Sequence, residues 1–290
     1  MREFPNYFAD ADEDFNSAKF VLFGVPFDKT SSFRFGAKDA PREIRIASWN
    51  FESFHLETGT NLSKIPIHDY GDLEVQDKTS EEMMDEVKRF VNKVSDENKI
   101  PIAMGGEHSI TTGVIRGLKK ENLGVIFLDA HLDFRNSYEG TPHNHACSLR
   151  RVADVIGVSN VISIGVRSAD EGEYRDAEKM NLKFFTAREV WKGGIDKVIE
   201  TALKELNQER IYLSIDIDVI DPAFAPGVST PEPFGIEPLD VVYVIKRVAP
   251  RLVGMDVVEV CPKYDNGITA LLAAKLIRIG IDEVWRNNYI

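Results

Sequence analysis

GVIFLDAH, residues 124–131, is an unbroken apolar run that turns acidic and then imidazole-bearing at its carboxyl end. A strand with water on one face would alternate polar and apolar residues. A continuous run rich in β-branched and aromatic side chains instead fits a parallel strand buried on both faces. Seven further runs share this make-up: FVLFGV (20–25), IPIHDYG (65–71), IPIAMGG (100–106), NVISIGVR (160–167), LKFFTA (182–187), RIYLSIDIDV (210–219) and RLVGMDVVEV (251–260). Helical signals lie between them. Pro41 stands at a first helical position before REIRIASW, and Thr79 with Glu82 forms a capping-box pattern before MMDEVKRFVNKV. Residues 108–118, 188–206, 237–248 and 267–279 also read as helices. Strands that alternate with helices predict an α/β fold, a mainly parallel eight-stranded sheet covered by helices. An open sheet and a closed barrel both satisfy that pattern, and both put active sites at the carboxyl ends of strands.

The chain has 290 residues, 43 % of them hydrophobic, with no linker, repeat or low-complexity stretch, so a single domain over 1–290 is expected. Asp and Glu outnumber Lys and Arg by 47 to 35. A net charge of −12 argues against nucleic acid, whose phosphates draw on clustered Lys and Arg, and is compatible with a small cationic ligand. Two cysteines, Cys147 and Cys261, cannot build a disulfide framework, and each reads as a packed thiol. The opening MREFPNYFADADEDF lacks the apolar core of a signal peptide, and no apolar run approaches the roughly 20 residues of a membrane span. A cytoplasmic protein without a membrane partner is expected.

The chemistry gathers where apolar runs end. Asp129, His131 and Asp133 occupy alternate positions in DAHLD, and extended backbone would turn alternate side chains to one side. Asp216 and Asp218 repeat the spacing in SIDID, and His108 follows a third run in GGEHS, where Gly105 and Gly106 permit a tight turn. Two like charges about 4 Å apart cost on the order of 4 kcal/mol at an effective dielectric near 20. Four converging aspartates therefore call for cations or for carboxylates held protonated, and two divalent ions match their charge. Oxygen-rich ligation with two imidazoles and no thiolate suits Mn²⁺ better than a structural Zn²⁺. Such a pair would generate hydroxide near neutral pH and orient it for attack.

At these residues the chain resembles the ureohydrolase family, which includes arginase and agmatinase. GGEHS (105–109), DAHLD (129–133) and SIDIDVIDPAFAPGVSTPEPFG (214–235) match the family's three metal-bearing motifs in order and spacing, and DVVEV (256–260) matches a fourth. The resemblance implies an open three-layer α/β/α sandwich around an eight-stranded parallel sheet, and assembly as a homotrimer or homohexamer. It implies one manganese on His108 and Asp133, another on His131 and Asp218, and Asp129 and Asp216 bridging the pair. Glu259 aligns with the acidic residue that receives the substrate guanidinium, and His145 with a mobile histidine that shuttles protons; His143 is its near neighbour. His55 and His68 match no ligand position, and Glu107 is expected to point away from the metals.

The resemblance also implies a reaction: metal-bound hydroxide attacks a guanidinium, releasing urea and an amine. The segment FRNSYEGTPHN (134–144) does not resemble the arginase segment that contacts an α-carboxylate, and SIGVRSADEGEY (163–174) looks like the agmatinase form. Agmatine is the expected substrate and putrescine the expected product, which implies a place in polyamine biosynthesis. Arginase, guanidinobutyrase and aminopropylagmatine ureohydrolase activities are the alternatives, with a non-catalytic metal-binding homologue from another class.

Overall fold

In the computed structural model, which describes residues 4–290, one sheet organises the chain. Its strands are β1 Phe20–Gly24, β2 Ile67–Asp72, β3 Ile100–Met104, β4 Leu123–Leu128, β5 Val161–Val166, β6 Lys183–Thr186, β7 Arg210–Asp216 and β8 Leu252–Val258. They pair in parallel, in the order β2-β1-β3-β8-β7-β4-β5-β6. β2 and β6 are edges, so the sheet is open and the barrel alternative falls away.

Alternation along β4 shows why its sequence is apolar throughout. Ile126 and Leu128 enter one core while Val125 and Phe127 enter the other, so both faces are dry. Helices α1 (Ala40–Ser48), α6 (Ala187–Gly193), α7 (Ile195–Leu206), α8 (Pro238–Val248) and α9 (Ile268–Asn288) supply Ile44, Val190, Ile199, Val244 and Ile277 to the first core. Helices α2 (Ser80–Asp96), α3 (Ile110–Gly117), α4 (Ser148–Ile156) and α5 (Glu171–Lys179) supply Val87, Ile115, Val152 and Ala177 to the second. The result is three layers. No helix among the described residues is long and apolar enough to cross a membrane.

The helix expected over 188–206 is two helices. Gly194 takes φ +86°, outside the helical region, and breaks the run between α6 and α7. The capping box of α2 is present in full, Thr79 accepting from Glu82 N and the Glu82 side chain accepting from Thr79 N. The helix expected over 267–279 continues to Asn288, and α4 and α5 have no counterpart among the helices expected from sequence.

Candidate metal centre

Four adjacent strands, β3, β8, β7 and β4, aim their carboxyl ends at one crevice, and the loops that leave them carry the polar residues. The turn after β3 bears His108. Gly105 and Gly106 are needed there for close approach rather than for a tight turn: neither has positive φ, and a Cβ on Gly106 would lie 2.1 Å from the Phe27 carbonyl oxygen. The chain is already past β4 at Asp129, so strand alternation is not what gathers the DAHLD side chains. Asp133 adopts φ +47°, and Glu259, just past β8, adopts φ +64°. Backbone held in that sparsely populated region clusters at functional sites. After β7, the chain enters a 3₁₀ turn in which the Asp216 carboxylate accepts the Asp218 N–H at 2.9 Å. Arg167 ties this turn to β5, donating to the carbonyls of Gly165, Asp218 and Val219.

All six predicted ligand residues come together. Five are buried and His131 is half-buried. His108 Nδ1 lies 3.1 Å from Asp129 Oδ2, 3.1 Å from Asp216 Oδ2 and 3.3 Å from Asp133 Oδ2. His131 Nδ1 lies 2.9 Å from Asp218 Oδ2 and 3.7 Å from Asp129 Oδ1. Two groups of potential ligands result: His108, Asp129 and Asp216 in one, Asp129, His131 and Asp218 in the other. Asp129 belongs to both, one oxygen facing each imidazole. Asp216 belongs only to the first.

These residues fit cations on their own chemistry. His108 Nδ1 and Asp129 Oδ2 are buried and close, yet neither makes an aligned hydrogen bond among the described residues. A single N–H cannot serve three carboxylates, whereas a cation can. The far side of the ring is arranged to leave Nδ1 free. His108 Nε2 lies 3.0 Å from Ser214 Oγ, which donates to Asp256 Oδ1 at 2.7 Å, so in the neutral ring Nε2 is the donor and Nδ1 holds the lone pair. Asp256 is fully buried and also accepts from the Tyr212 and Thr111 hydroxyls. Burial pushes the Asp133 carboxyl up to about 7, aided by the neighbouring Asp129. Burial opposes charge on His108 and His131 as well, yet the surrounding carboxylates raise both well above the ordinary histidine value. A cluster that strains to hold protons is one in which divalent ions relieve the repulsion.

A cavity of about 190 Å³ opens over this floor, lined by Asp133, Asp216, Thr230, Glu259, His145 and Ser32, among others. Glu259 Oε1 accepts the His108 N–H at 2.7 Å, while Oε2 is buried without a hydrogen bond among the described residues. Burial pushes its carboxyl up to about 7. His145 has burial lowering its pKa and nearby Glu107 opposing that shift. His143 does not line this cavity; its Nε2 lies 3.8 Å from Glu81 Oε1 at the start of α2. His55 Nδ1 sits 2.5 Å from Asp282 Oδ2, and His68 Nδ1 2.8 Å from the Glu13 carbonyl, both outside the six-residue cluster. Cys147 and Cys261 are buried and free, and burial raises their thiols to about 11 and about 12, which removes them as nucleophiles.

Thr30, Ser32 and Glu107 also stand at the site, and sequence reasoning assigned none of them a role there. Glu107 contacts Thr30 and Ser109, and Thr30 and Ser32 contact His145. A faint signal existed: the polar run KTSS (29–32) follows an apolar strand, as the metal-bearing loops do.

The sequence profile of the Arginase family matches residues 18–280. An N(1)-aminopropylagmatine ureohydrolase of Thermococcus kodakarensis is 39 % identical over 90 % of this chain and 88 % of its own length. An agmatinase of Bacillus cereus is 34 % identical over 93 % of each chain. The crystal structure of the agmatine ureohydrolase of Thermoplasma volcanium superposes with a TM-score of 0.94 at 43 % identity, covering 98 % of this chain and 97 % of that one. The match extends through both cores and all four site-bearing strands, and the chain belongs to the arginase family of hydrolases.

Proposed function

We propose that this protein is a binuclear manganese ureohydrolase that splits agmatine into putrescine and urea. The observation that carries the reading is the convergence of His108, Asp129, Asp133, Asp216, His131 and Asp218 beneath a cavity whose wall includes the Glu259 carboxylate. His108 and Asp133 would hold one ion, His131 and Asp218 the other, with Asp129 and Asp216 between them. When bound, the two ions supply the Lewis acidity that ionises water near neutral pH.

The remaining work falls to the chain. Guanidinium is planar, cationic and resonance-stabilised, so it must be held in one pose for attack. Glu259, fixed through Oε1 by the His108 N–H, offers Oε2 to a guanidinium N–H and orients its carbon toward the cavity floor. Breakdown of the tetrahedral carbon expels an amine, which needs a proton as it leaves. His145 Nε2, on the cavity wall beside Ser32, delivers that proton.

Asp170 and Glu173 also line the cavity, with Arg135 drawn toward Glu173 at 3.8 Å. Arg135 lines the cavity too, but two carboxylates against one guanidinium leave that wall net negative, which favours a substrate whose far end is cationic over one ending in a carboxylate. That supports agmatine over arginine and 4-guanidinobutyrate. Aminopropylagmatine satisfies the same chemistry and is the second reading, favoured by the 39 % identity to the Thermococcus enzyme. A homotrimeric or homohexameric assembly in the cytoplasm belongs to the same proposal.

The deciding experiment measures urea release from agmatine, aminopropylagmatine, arginine and 4-guanidinobutyrate with added Mn²⁺, alongside elemental analysis. Agmatine is expected to give the highest kcat/KM with two manganese per chain, activity being lost to chelators and restored by Mn²⁺. A requirement for one zinc, or no urea from any compound, would refute the reading.

Glu259→Gln is expected to keep its metals while kcat/KM falls about a hundredfold, because losing a buried charge partner costs on the order of 3 kcal/mol. Near-normal kcat/KM in that variant would move the guanidinium anchor elsewhere.

A further inference from the structure

Glu107 is fully buried beside His108 in sequence, yet its carboxylate serves the loop that follows β1. Its Oε2 accepts the Thr30 N–H at 2.7 Å, and its Oε1 accepts the Thr30 hydroxyl at 2.5 Å and the Ser109 hydroxyl at 2.6 Å. Thr30 Oγ1 in turn lies 3.0 Å from the His145 backbone nitrogen and 3.4 Å from His145 Nδ1. The far ring nitrogen, Nε2, is 3.2 Å from Ser32 Oγ, and both residues line the cavity.

A count of donors fixes the direction of these contacts. A threonine hydroxyl has one proton and two lone pairs. Its proton goes to Glu107, so only lone pairs remain for His145. The backbone N–H takes one of them. The other can meet Nδ1 only if Nδ1 carries a hydrogen. The neutral ring is then the Nδ1–H tautomer, with the Nε2 lone pair turned to the cavity.

We infer that Glu107, acting through the Thr30 hydroxyl, is the positioning device for His145, fixing ring rotation and tautomer so that Nε2 is the atom that exchanges protons. The inference rests on the reading of His145 as the proton-transfer group. The ring takes a proton at Nε2 from solvent water in the open cavity and passes it to the departing amine, returning to the Nδ1–H form. Glu107 keeps its place throughout and holds the Thr30 hydroxyl in position as the acceptor for Nδ1–H. The same logic operates wherever a carboxylate orients a catalytic imidazole, here with one hydroxyl between them. It also accounts for a buried glutamate whose partners are hydroxyls and a backbone N–H rather than a lysine or arginine.

The test is a double-mutant cycle on the manganese-loaded enzyme, with the guanidino compound it turns over fastest. Thr30→Val keeps the side-chain shape and removes the hydroxyl. It is expected to lower kcat by about 10–100-fold with KM and manganese content unchanged. Thr30→Ser, which keeps the hydroxyl, is expected to recover most of the rate. In a His145→Asn background the Thr30→Val change is expected to cost nothing further, because the hydroxyl acts through the ring. Wild-type kcat in Thr30→Val, an equal loss in Thr30→Ser, or an undiminished cost of Thr30→Val in the His145→Asn background would each overturn the inference. A fully active His145→Asn enzyme would instead sink the proton-transfer reading itself, and the two failures are told apart by that single variant.

Discussion

His145→Asn is expected to keep its manganese and bind substrate while kcat falls by about 10²–10⁴, the usual loss for a general acid. His143→Asn is expected to stay within about threefold of the parent rate, because this half-buried residue does not line the cavity. The two histidines are separated by one residue, and the geometry separates their roles. His145 is buried, lines the cavity and touches Thr30 and Ser32. His143 looks outward to Glu81, its pKa lowered by burial. Neither belongs to the six-residue cluster, so metal content separates a proton-transfer defect from loss of the ions. Rates of both variants at saturating agmatine and Mn²⁺ decide the matter. A crippled His143→Asn enzyme beside an active His145→Asn enzyme would mean that the loop 134–148 has been assigned backwards. The substrate reading drawn from that loop would weaken with it.

The strands were legible because burial on both faces removes polar residues from every position, leaving runs that stand out from the helices. Where the reading of helices went astray, local signals were weak or misplaced. Gly194 lies in the middle of an amphipathic stretch, where a single glycine is compatible with an unbroken helix. The N-cap of α4 is Cys147, whose side chain makes no cap hydrogen bond. Only Glu173 and Ala177 of α5 are buried, so it lacks an apolar stripe, although its capping box of Asp170 and Glu173 is intact. The choice between sheet and barrel lay beyond periodicity, since edge strands and closure are set by pairing across long sequence distances.

At the site, residue types at strand ends nominate the acidic and imidazole cluster, but strand alternation does not account for its convergence. Alternation along a strand cannot gather Asp129, His131 and Asp133 when β4 ends at Leu128 and Asp133 sits at φ +47°. Nothing in the sequence marks Asp133 or Glu259 for positive φ, because aspartate and glutamate are not glycine. The Glu107–Thr30–His145 chain was harder still. Its links span 77 and 115 residues, and each member alone is an ordinary polar side chain. Expecting Glu107 to point away from the metals located its neighbours no further than that.

Asp129→Ala is expected to lose both manganese ions and all urea release above background, whereas His108→Ala is expected to retain about one ion per chain. The difference follows from how the ligand atoms divide. Asp129 turns Oδ2 toward His108 and Oδ1 toward His131, and so belongs to both candidate groups. Removing His108 leaves Asp129, His131 and Asp218 together. Removing Asp129 takes one unit of negative charge from each group at once. A charge about 4 Å from a cation at an effective dielectric near 20 is worth on the order of 4 kcal/mol, roughly a thousandfold in affinity per site. Without metal the substitution also removes the acceptor of the His131 N–H and the carboxylate that the His108 and His131 imidazoles hold in its charged form, so some loss of stability accompanies it. The metal-free Asp129→Ala protein is therefore expected to melt somewhat below the metal-free parent, and the response to Mn²⁺ is what separates metal loss from loss of fold. Added Mn²⁺ should raise the melting temperature of the parent and leave that of the variant unmoved, since only a ligand bound to the folded state shifts the equilibrium. Elemental analysis after gel filtration, run with these melts, checks the assignment. Two ions retained in Asp129→Ala, or equal losses in the two variants, would remove Asp129 from the position between the metals.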